Sequence, residues 1–241
     1  MFTVHRSPFT VYPNCSPELN SSAPIGILGG TFNPVHVAHL RLAQELAQEL
    51  GLGRVRFIPT GTPPHRDAPR VDGRHRLEMV RLAIAANPLF EVDDREIRRQ
   101  GICYTFDTLT ELRAQFGGLP LCLLMGADAF SALTTWHRWA ELFDLAHVVI
   151  AHRPGYPLEE MRASLPAPLR QVYLQRQASD SGALRISAGG SILTREITAL
   201  DISATGIREQ LARGASPRYL VPDRVLDYID RNYLYKEKDA G

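Results

Sequence analysis

The sequence predicts an α/β protein, a doubly wound and mostly parallel sheet with helices on both faces. Three observations carry that prediction. From Pro24 onward, short apolar runs of strand length alternate with longer segments of helical period. Successive strand-like runs are separated by whole helices, which is the spacing a parallel crossover needs. No internal repeat or low-complexity tract interrupts the alternation.

The elements follow in order. "IGIL" (Ile25–Leu28) is a buried-strand candidate, and "AHLRLAQELAQEL" sets Leu40, Ala43, Leu46, Ala47 and Leu50 on one helix face, stopped by Gly51 and Gly53. "RVRFIP" (Arg54–Pro59) is the next strand, and "GRHRLEMVRLAIAA" is a second amphipathic helix that ends near Asn87 and Pro88. "FEVDDREIRR" contains a strand and a turn, and "YTFDTLTELRAQFG" a helix begun by Thr105 or Asp107 and closed by Gly117 and Gly118. "LCLLMG" is the most apolar strand, "TTWHRWAELFDLA" reads as helical, and "HVVIAHRP" as another strand. Tyr156 to Gly190 is the least legible stretch, rich in Pro, Ser and Gly. After it, "SILTREI" is extended, and "SATGIREQLARG" and "PDRVLDYIDRNYL" are helices.

The 241 residues suffice for one core, so residues 24–241 are expected to form a single domain with C-terminal helices. Residues 1–23 lack the charged start and apolar run of a signal peptide and are expected to be a poorly ordered extension. A net charge of +1 makes no case for a nucleic-acid or membrane surface, and no apolar stretch is long enough to span a bilayer. Positive charge is nearly all arginine, with lysine confined to Lys236 and Lys238, a bias that suits phosphate contacts but is read first as a reflection of genomic base composition. Cys15, Cys103 and Cys122 have no Cys-x-x-Cys spacing, which fits a reducing cytoplasm. The sequence leaves room for a homo-oligomer.

In such sheets ligands bind beyond the carboxyl ends of the strands, so the residues just after each strand matter most. The first strand is followed by Gly29-Gly30-Thr31-Phe32-Asn33-Pro34, where adjacent glycines let the main chain approach an anion or simply make a tight turn. Gly-x-Gly-x-x-Gly fails at Leu28, and no Gly-Lys-Ser/Thr exists, so dehydrogenase and P-loop chemistry lack support. His36 and His39, three apart at a helix mouth, suit a polyphosphate if the helix includes both; the alternatives are zinc ligands or structural histidines. In "ISATGIREQL", Ser203 or Thr205 caps a helix over whose open end Arg208 can reach. "MGADAF" places Gly126 and Asp128 past the most apolar strand, where an acid accepts from ribose hydroxyls or caps a helix. Trp136 stacks on a planar ring or joins the core. "TGTPPHR" is a rigid loop leading to His65 and Arg66.

The order of these motifs is more telling than any one of them. Gly-Gly-Thr-Phe-Asn-Pro-x-His-x-x-His near the start and Ile-Ser-Ala-Thr-x-Ile-Arg near the end resemble the signatures of the nucleotidyltransferase superfamily. "PPHR", "YT", "GADAF…TW" and "RPGYP" between them resemble the bacterial nicotinate mononucleotide adenylyltransferases, over about Ile25 to Tyr235. The resemblance implies a Rossmann-like fold and attack of a mononucleotide 5′-phosphate on the α-phosphorus of ATP, giving deamido-NAD and pyrophosphate with Mg²⁺ present. It implies that Gly29, Gly30, Thr31 and Phe32 line the ATP site, that Gly126 also binds ATP, and that Asp128 lies at the adenylyl ribose. His36, His39, Ser203, Thr205 and Arg208 would hold the triphosphate. Thr105, Trp136 and the main chain at His137 would receive the nicotinate ring and carboxylate, and Arg153 and His65 the mononucleotide phosphate. Departures are Ala38 where the family commonly has Gly, Asn33 for a frequent Asp, and His137 where some relatives have Tyr.

A phosphate nucleophile is already ionised near neutral pH, so alignment and charge neutralisation are expected to do the catalysis, by direct displacement. His36, His39 and Arg208 are the expected catalytic set. No carboxylate cluster offers Mg²⁺ a cage, so the ion is expected to arrive with ATP, and no protein metal site is expected. The rivals are a related transferase acting on nicotinamide mononucleotide or another phosphorylated acceptor, and a nucleotide-binding sensor without catalysis.

Overall fold

A computed structural model describes residues 22–63 and 71–236. The extension expected over residues 1–23, apart from its last two, lies outside the described residues, as do His65, Arg66 and Cys15.

The chain alternates as its periodicity predicts. Strand β1 (Ile25–Gly30) leads to helix α1 (Val37–Leu50), β2 (Arg54–Pro59), α2 (Gly73–Ile84) and β3 (Phe90–Val92). A short α3 (Arg95–Arg98), then α4 (Thr105–Phe116), lead to β4 (Leu121–Gly126), α5 (Ala127–Ser131), α6 (Leu142–Leu145) and β5 (His147–His152). The last third holds α7 (Leu158–Ser164), α8 (Ala167–Arg176), β6 (Ile192–Glu196), α9 (Ala204–Ala212) and α10 (Asp223–Arg231). Helix α1 stops at Gly51, whose left-handed backbone (φ 59°) turns its N–H back onto the Ala47 carbonyl.

All strand pairs are parallel, in the order β3-β2-β1-β4-β5-β6. This is the doubly wound order, with the direction of winding reversing between β1 and β4. Side chains alternate across the sheet. Leu28, Val55, Phe57 and Leu124 enter a core with Leu46, Val80, Ile207 and Ile229 from α1, α2, α9 and α10. Ile27, Ile58, Leu123 and Val148 enter a second core with Leu112, Phe130, Leu142 and Leu169 from α4, α5, α6 and α8. Each fully buried aliphatic or aromatic side chain contributes about 1.5–3 kcal/mol of transfer free energy, so the two faces rather than helix propensity hold the layers together.

The switch point opens a crevice. β1 and β4 pair only as far as Ile27 with Leu123. Beyond that β1 continues with β2 to Gly30, and β4 with β5 to Gly126, so the two central strands part at their carboxyl ends.

Three segments differ from the sequence reading. "TTWHRWAELFDLA" is not one helix: Trp136 is extended (φ −80°, ψ 145°) and Arg138 is left-handed (φ 53°), leaving two 3-10 turns before α6. Trp136, Trp139 and Phe143 all pack on the second core, which accounts for the helical spacing. At the break, left-handed Arg138 lies over the Phe106 ring at 3.6 Å and pairs with Glu141. "FEVDDREIRR" holds the helix α3 rather than only a turn after its strand, and Tyr156 to Gly190 contains α7, α8 and a 3-10 turn at Ser181–Arg185. Prolines at 157 and 166 immediately precede α7 and α8, so they start helices there instead of marking loop.

Candidate active site

The loop from Thr31 to His36 crosses the open end of β1. Phe32 takes a left-handed backbone (φ 47°) and turns its ring inward, where it is 2 % exposed and edge-on to His39 at 5.1 Å. A methyl on Gly30 would meet that ring at 3.1 Å, whereas one on Gly29 would meet nothing within 4 Å. Of the four residues expected to line a nucleotide, Gly29 therefore faces open space, and the Phe32 side chain belongs to the core and supports a histidine.

His36 and His39 share a face, though not for the expected reason. His36 is the extended N-cap of α1 (φ −144°), outside the helix. Its main-chain N–H donates to His39 Nδ1 at 3.2 Å, and the two rings stack with centroids 3.7 Å apart. Because Nδ1 of His39 accepts, the neutral ring carries its proton on Nε2. Burial lowers the pKa of His36 to about 4. Burial, and secondarily His36 alongside, lower that of His39 to about 3. Both rings are thus neutral at pH 7 without an anion. Among the described residues, buried His36 Nδ1 has no hydrogen-bond partner.

The second helix mouth converges on the first. Ser203, not Thr205, is the N-cap of α9, its Oγ accepting from Gly206 N at 3.1 Å. Arg208 donates from Nη2 to Thr205 Oγ1 at 3.1 Å and from Nη1 to the Asn33 carbonyl at 2.8 Å. Beneath the crevice a cavity of about 440 Å³ is lined by His36, His39, Gly126, Asp128, Arg153 and Ile202, among others. Asp128 and Arg153 are exposed at its edge, and Arg153 pairs with Asp201 at 3.5 Å.

Thr105, Trp136 and His137 do not line this cavity and form a separate rim. Thr105 is the first residue of α4, so its N–H has no acceptor within the helix. The rings of Tyr104 and His137 lie 4.4 Å apart, and half-buried Trp136 packs against the second core. His65 lies outside the described residues.

Sequence reasoning missed two side chains behind the loop. Arg76 is 2 % exposed and donates to the carbonyls of Thr31 at 2.7 Å, Gly61 at 3.3 Å and Val71 at 3.3 Å. Its signal was available, since it sits on the apolar face of α2 four residues before Val80. The other is Tyr235, whose hydroxyl donates to Asn33 Oδ1 at 2.7 Å.

A glycine-lined crevice at a switch point, flanked by two helix mouths with histidines and an arginine, defines a nucleotide-handling class of α/β protein. Residues 27–210 match the cytidylyltransferase-like family. A Dechloromonas aromatica protein named a probable nicotinate-nucleotide adenylyltransferase is 51 % identical over 216 residues, covering 89 % of this chain and 99 % of the relative. An Acidithiobacillus ferrooxidans protein of the same name is 49 % identical, covering 87 % of this chain and 94 % of the relative. The chain belongs to the nicotinate-nucleotide adenylyltransferase family within the cytidylyltransferase-like proteins. Its fold is shared with a solved Plasmodium falciparum nicotinic acid mononucleotide adenylyltransferase complexed with NaAD, at a TM-score of 0.68 and 16 % identity over 88 % of this chain and 97 % of that one.

Proposed function

We propose that the chain joins ATP and nicotinate mononucleotide to give deamido-NAD and pyrophosphate, a step of NAD biosynthesis. The single observation that carries this reading is the hydrogen bond from Arg208 to the Asn33 carbonyl, which brings the two family motifs, 175 residues apart, to one crevice. The relatives' shared name supports the choice of acceptor.

In this reading the main chain at Gly29, Gly30 and Thr31 runs beside the nucleotide, and Gly126 and Asp128 meet the ribose. His36, His39, Ser203, Thr205 and Arg208 hold the triphosphate. An oxygen of the acceptor 5′-phosphate forms a bond to the α-phosphorus as the bond to the β-phosphate bridging oxygen breaks, and the electron pair leaves with pyrophosphate. Arg208 and the Nε2–H of His39 stabilise that departing charge. Arg153 stands in the wall of the histidine cavity, where an acceptor phosphate must come to reach the α-phosphorus, and we assign it and His65 to that phosphate. Thr105 N–H, the main chain at His137 and the Trp136 ring receive the nicotinate carboxylate and ring. Main-chain donors there favour the acid over the amide.

Among the described residues no three His, Cys, Asp or Glu side chains gather to hold a metal ion. The cavity offers the imidazoles of His36, His39 and His152 and the lone Asp128 carboxylate, a poor match for a hard cation that prefers oxygen, so Mg²⁺ is assigned to the ATP phosphates. A cytoplasmic location belongs to the same reading, supported by the buried, unpaired thiols of Cys103 and Cys122. Among the described residues no helix is long and apolar enough to cross a membrane.

The deciding experiment measures pyrophosphate release from ATP with nicotinate mononucleotide and with nicotinamide mononucleotide side by side. Turnover of the acid and little of the amide is expected; equal turnover overturns the acceptor assignment, and ATP binding without turnover of any acceptor overturns the enzyme.

A further inference from the structure

The last described turn of the chain returns to its first functional loop. After α10, hydrogen bonds from Asn232 N to Tyr228 O, Tyr233 N to Asp230 O and Leu234 N to Ile229 O wrap the chain back over the helix end. Tyr233 (φ 53°) and Tyr235 (φ 65°) are both left-handed, a conformation that bulky residues hold only when their surroundings impose it. For Tyr235 the cause is visible. Leu234 and Tyr235 pack against the first core, and the Tyr235 hydroxyl reaches Asn33 Oδ1 at 2.7 Å across 202 residues.

Asn33 is therefore held twice. Its side-chain oxygen accepts from Tyr235, and its main-chain oxygen accepts from Arg208 Nη1 at 2.8 Å. The phenol sits in the field of two guanidiniums, Arg208 and Arg76, and burial outweighs both in keeping it protonated, hence a donor. Asparagine suits this place because its neutral amide oxygen accepts the phenol proton without adding an anion beside a phosphate site.

We propose that Tyr235 is a positioning residue for the ATP triphosphate. Its hydroxyl fixes Asn33, and Asn33 fixes the Arg208 guanidinium over the mouth of α9. Tyr235 touches no reacting atom; it acts through Arg208. The proposal rests on the functional reading above and adds to it the C-terminal turn, which lies outside the two end motifs.

The test is steady-state pyrophosphate release by the full chain, with ATP and nicotinate mononucleotide varied separately. Tyr235→Phe keeps the ring and its packing and removes one hydroxyl. Its kcat/KM for ATP is expected to fall about tenfold, as for loss of one hydrogen bond that orients a charged group. KM for nicotinate mononucleotide should stay within about twofold and the thermal midpoint within about 2 °C, as expected where packing is conserved. Asn33→Ala removes the same bond from its other end and serves if Tyr235→Phe does not fold. The double variant should lose no more than Asn33→Ala alone, because the two residues act as one unit. Native ATP parameters in Tyr235→Phe, additive losses in the double variant, or equal losses for both substrates with a lowered midpoint would each overturn the assignment. If the unsubstituted chain released no pyrophosphate, the functional reading would fall. ATP affinity by calorimetry would then judge Tyr235 alone, with weaker binding by Tyr235→Phe upholding the proposal and unchanged binding ending it.

Discussion

On the β1 side of the crevice, Asn33 is gripped by Arg208 and Tyr235 from 175 and 202 residues away, and Arg76 donates to Thr31 beside it. In the separate cluster outside the cavity, which the functional reading assigns to the second rim, Thr105, Trp136 and His137 stand on the first turn of α4 and a broken helix, joined by packing of Tyr104, Phe106 and Arg138. The difference teaches what each side is built to do. Charge developing on a leaving group is stabilised only by donors already in place, and small misplacements are costly. A flat ring needs a surface and a few polar contacts, which short turns can present without long-range ties.

Removing the charged donors should break the comparison most severely. Arg208→Ala and His39→Ala should each lower kcat by about 10²-fold or more, by analogy with loss of one transition-state donor. Near-native kcat in both would mean that the tied rim is structural rather than catalytic. On the other rim, Trp136→Ala should raise KM for nicotinate mononucleotide about tenfold, the scale of one lost stacking contact, with KM for ATP little changed. A shift confined to ATP would exchange the two rims.

The glycines sharpen the contrast within the tied rim. Gly30→Ala drives a methyl against the Phe32 ring, and overpacking of that kind should lower unfolding free energy by about 1–3 kcal/mol in urea titration. Gly29→Ala should leave stability unchanged and weaken ATP binding, because its added methyl points into open space. Equal destabilisation by both would remove the distinction between buttress and binding surface.

The smallest effect is in pH. His36 and His39 ordinarily titrate near 6.5 and fall to about 4 and about 3 in the fold. The unfolded chain then binds more protons than the native one between these values, so this contribution to stability is complete above about pH 6.5 and lost as pH falls toward 4. A polyanion in the crevice reverses the bias by favouring charged imidazole. Binding of ATP near pH 6 should therefore take up part of a proton, read by calorimetry in buffers of different ionisation enthalpy. Zero uptake would place the phosphates away from the histidines.

Much of the fold was legible because burial leaves a period in the sequence. The strands at Ile25, Arg54 and Leu121 and the helices after the first two follow from it, and the parallel pairing follows from their alternation. The reading of "TTWHRWAELFDLA" failed because Trp136, Trp139 and Phe143 keep helical spacing while a left-handed Arg138 interrupts the helix between them. Two histidines and Arg208 were legible as a candidate phosphate site because such sites need few residue types at fixed offsets from a helix start. Tyr235 was not, since a tyrosine near a C-terminus carries no local mark of what it touches, and Arg76 showed only its burial, on the apolar face of α2, and not the carbonyls it reaches.

The sequence by itself determined the alternating elements, the glycine turn after β1 and the two motifs that place the chain in its family, because those properties depend on neighbours a few residues apart. Only the tertiary structure decided that Asn33, Arg208 and Tyr235 form one unit, and that burial leaves both histidines uncharged. Hydrogen bonds and desolvation depend on what the whole fold brings within about 3 Å of an atom or shields from water, and neither is written in local order.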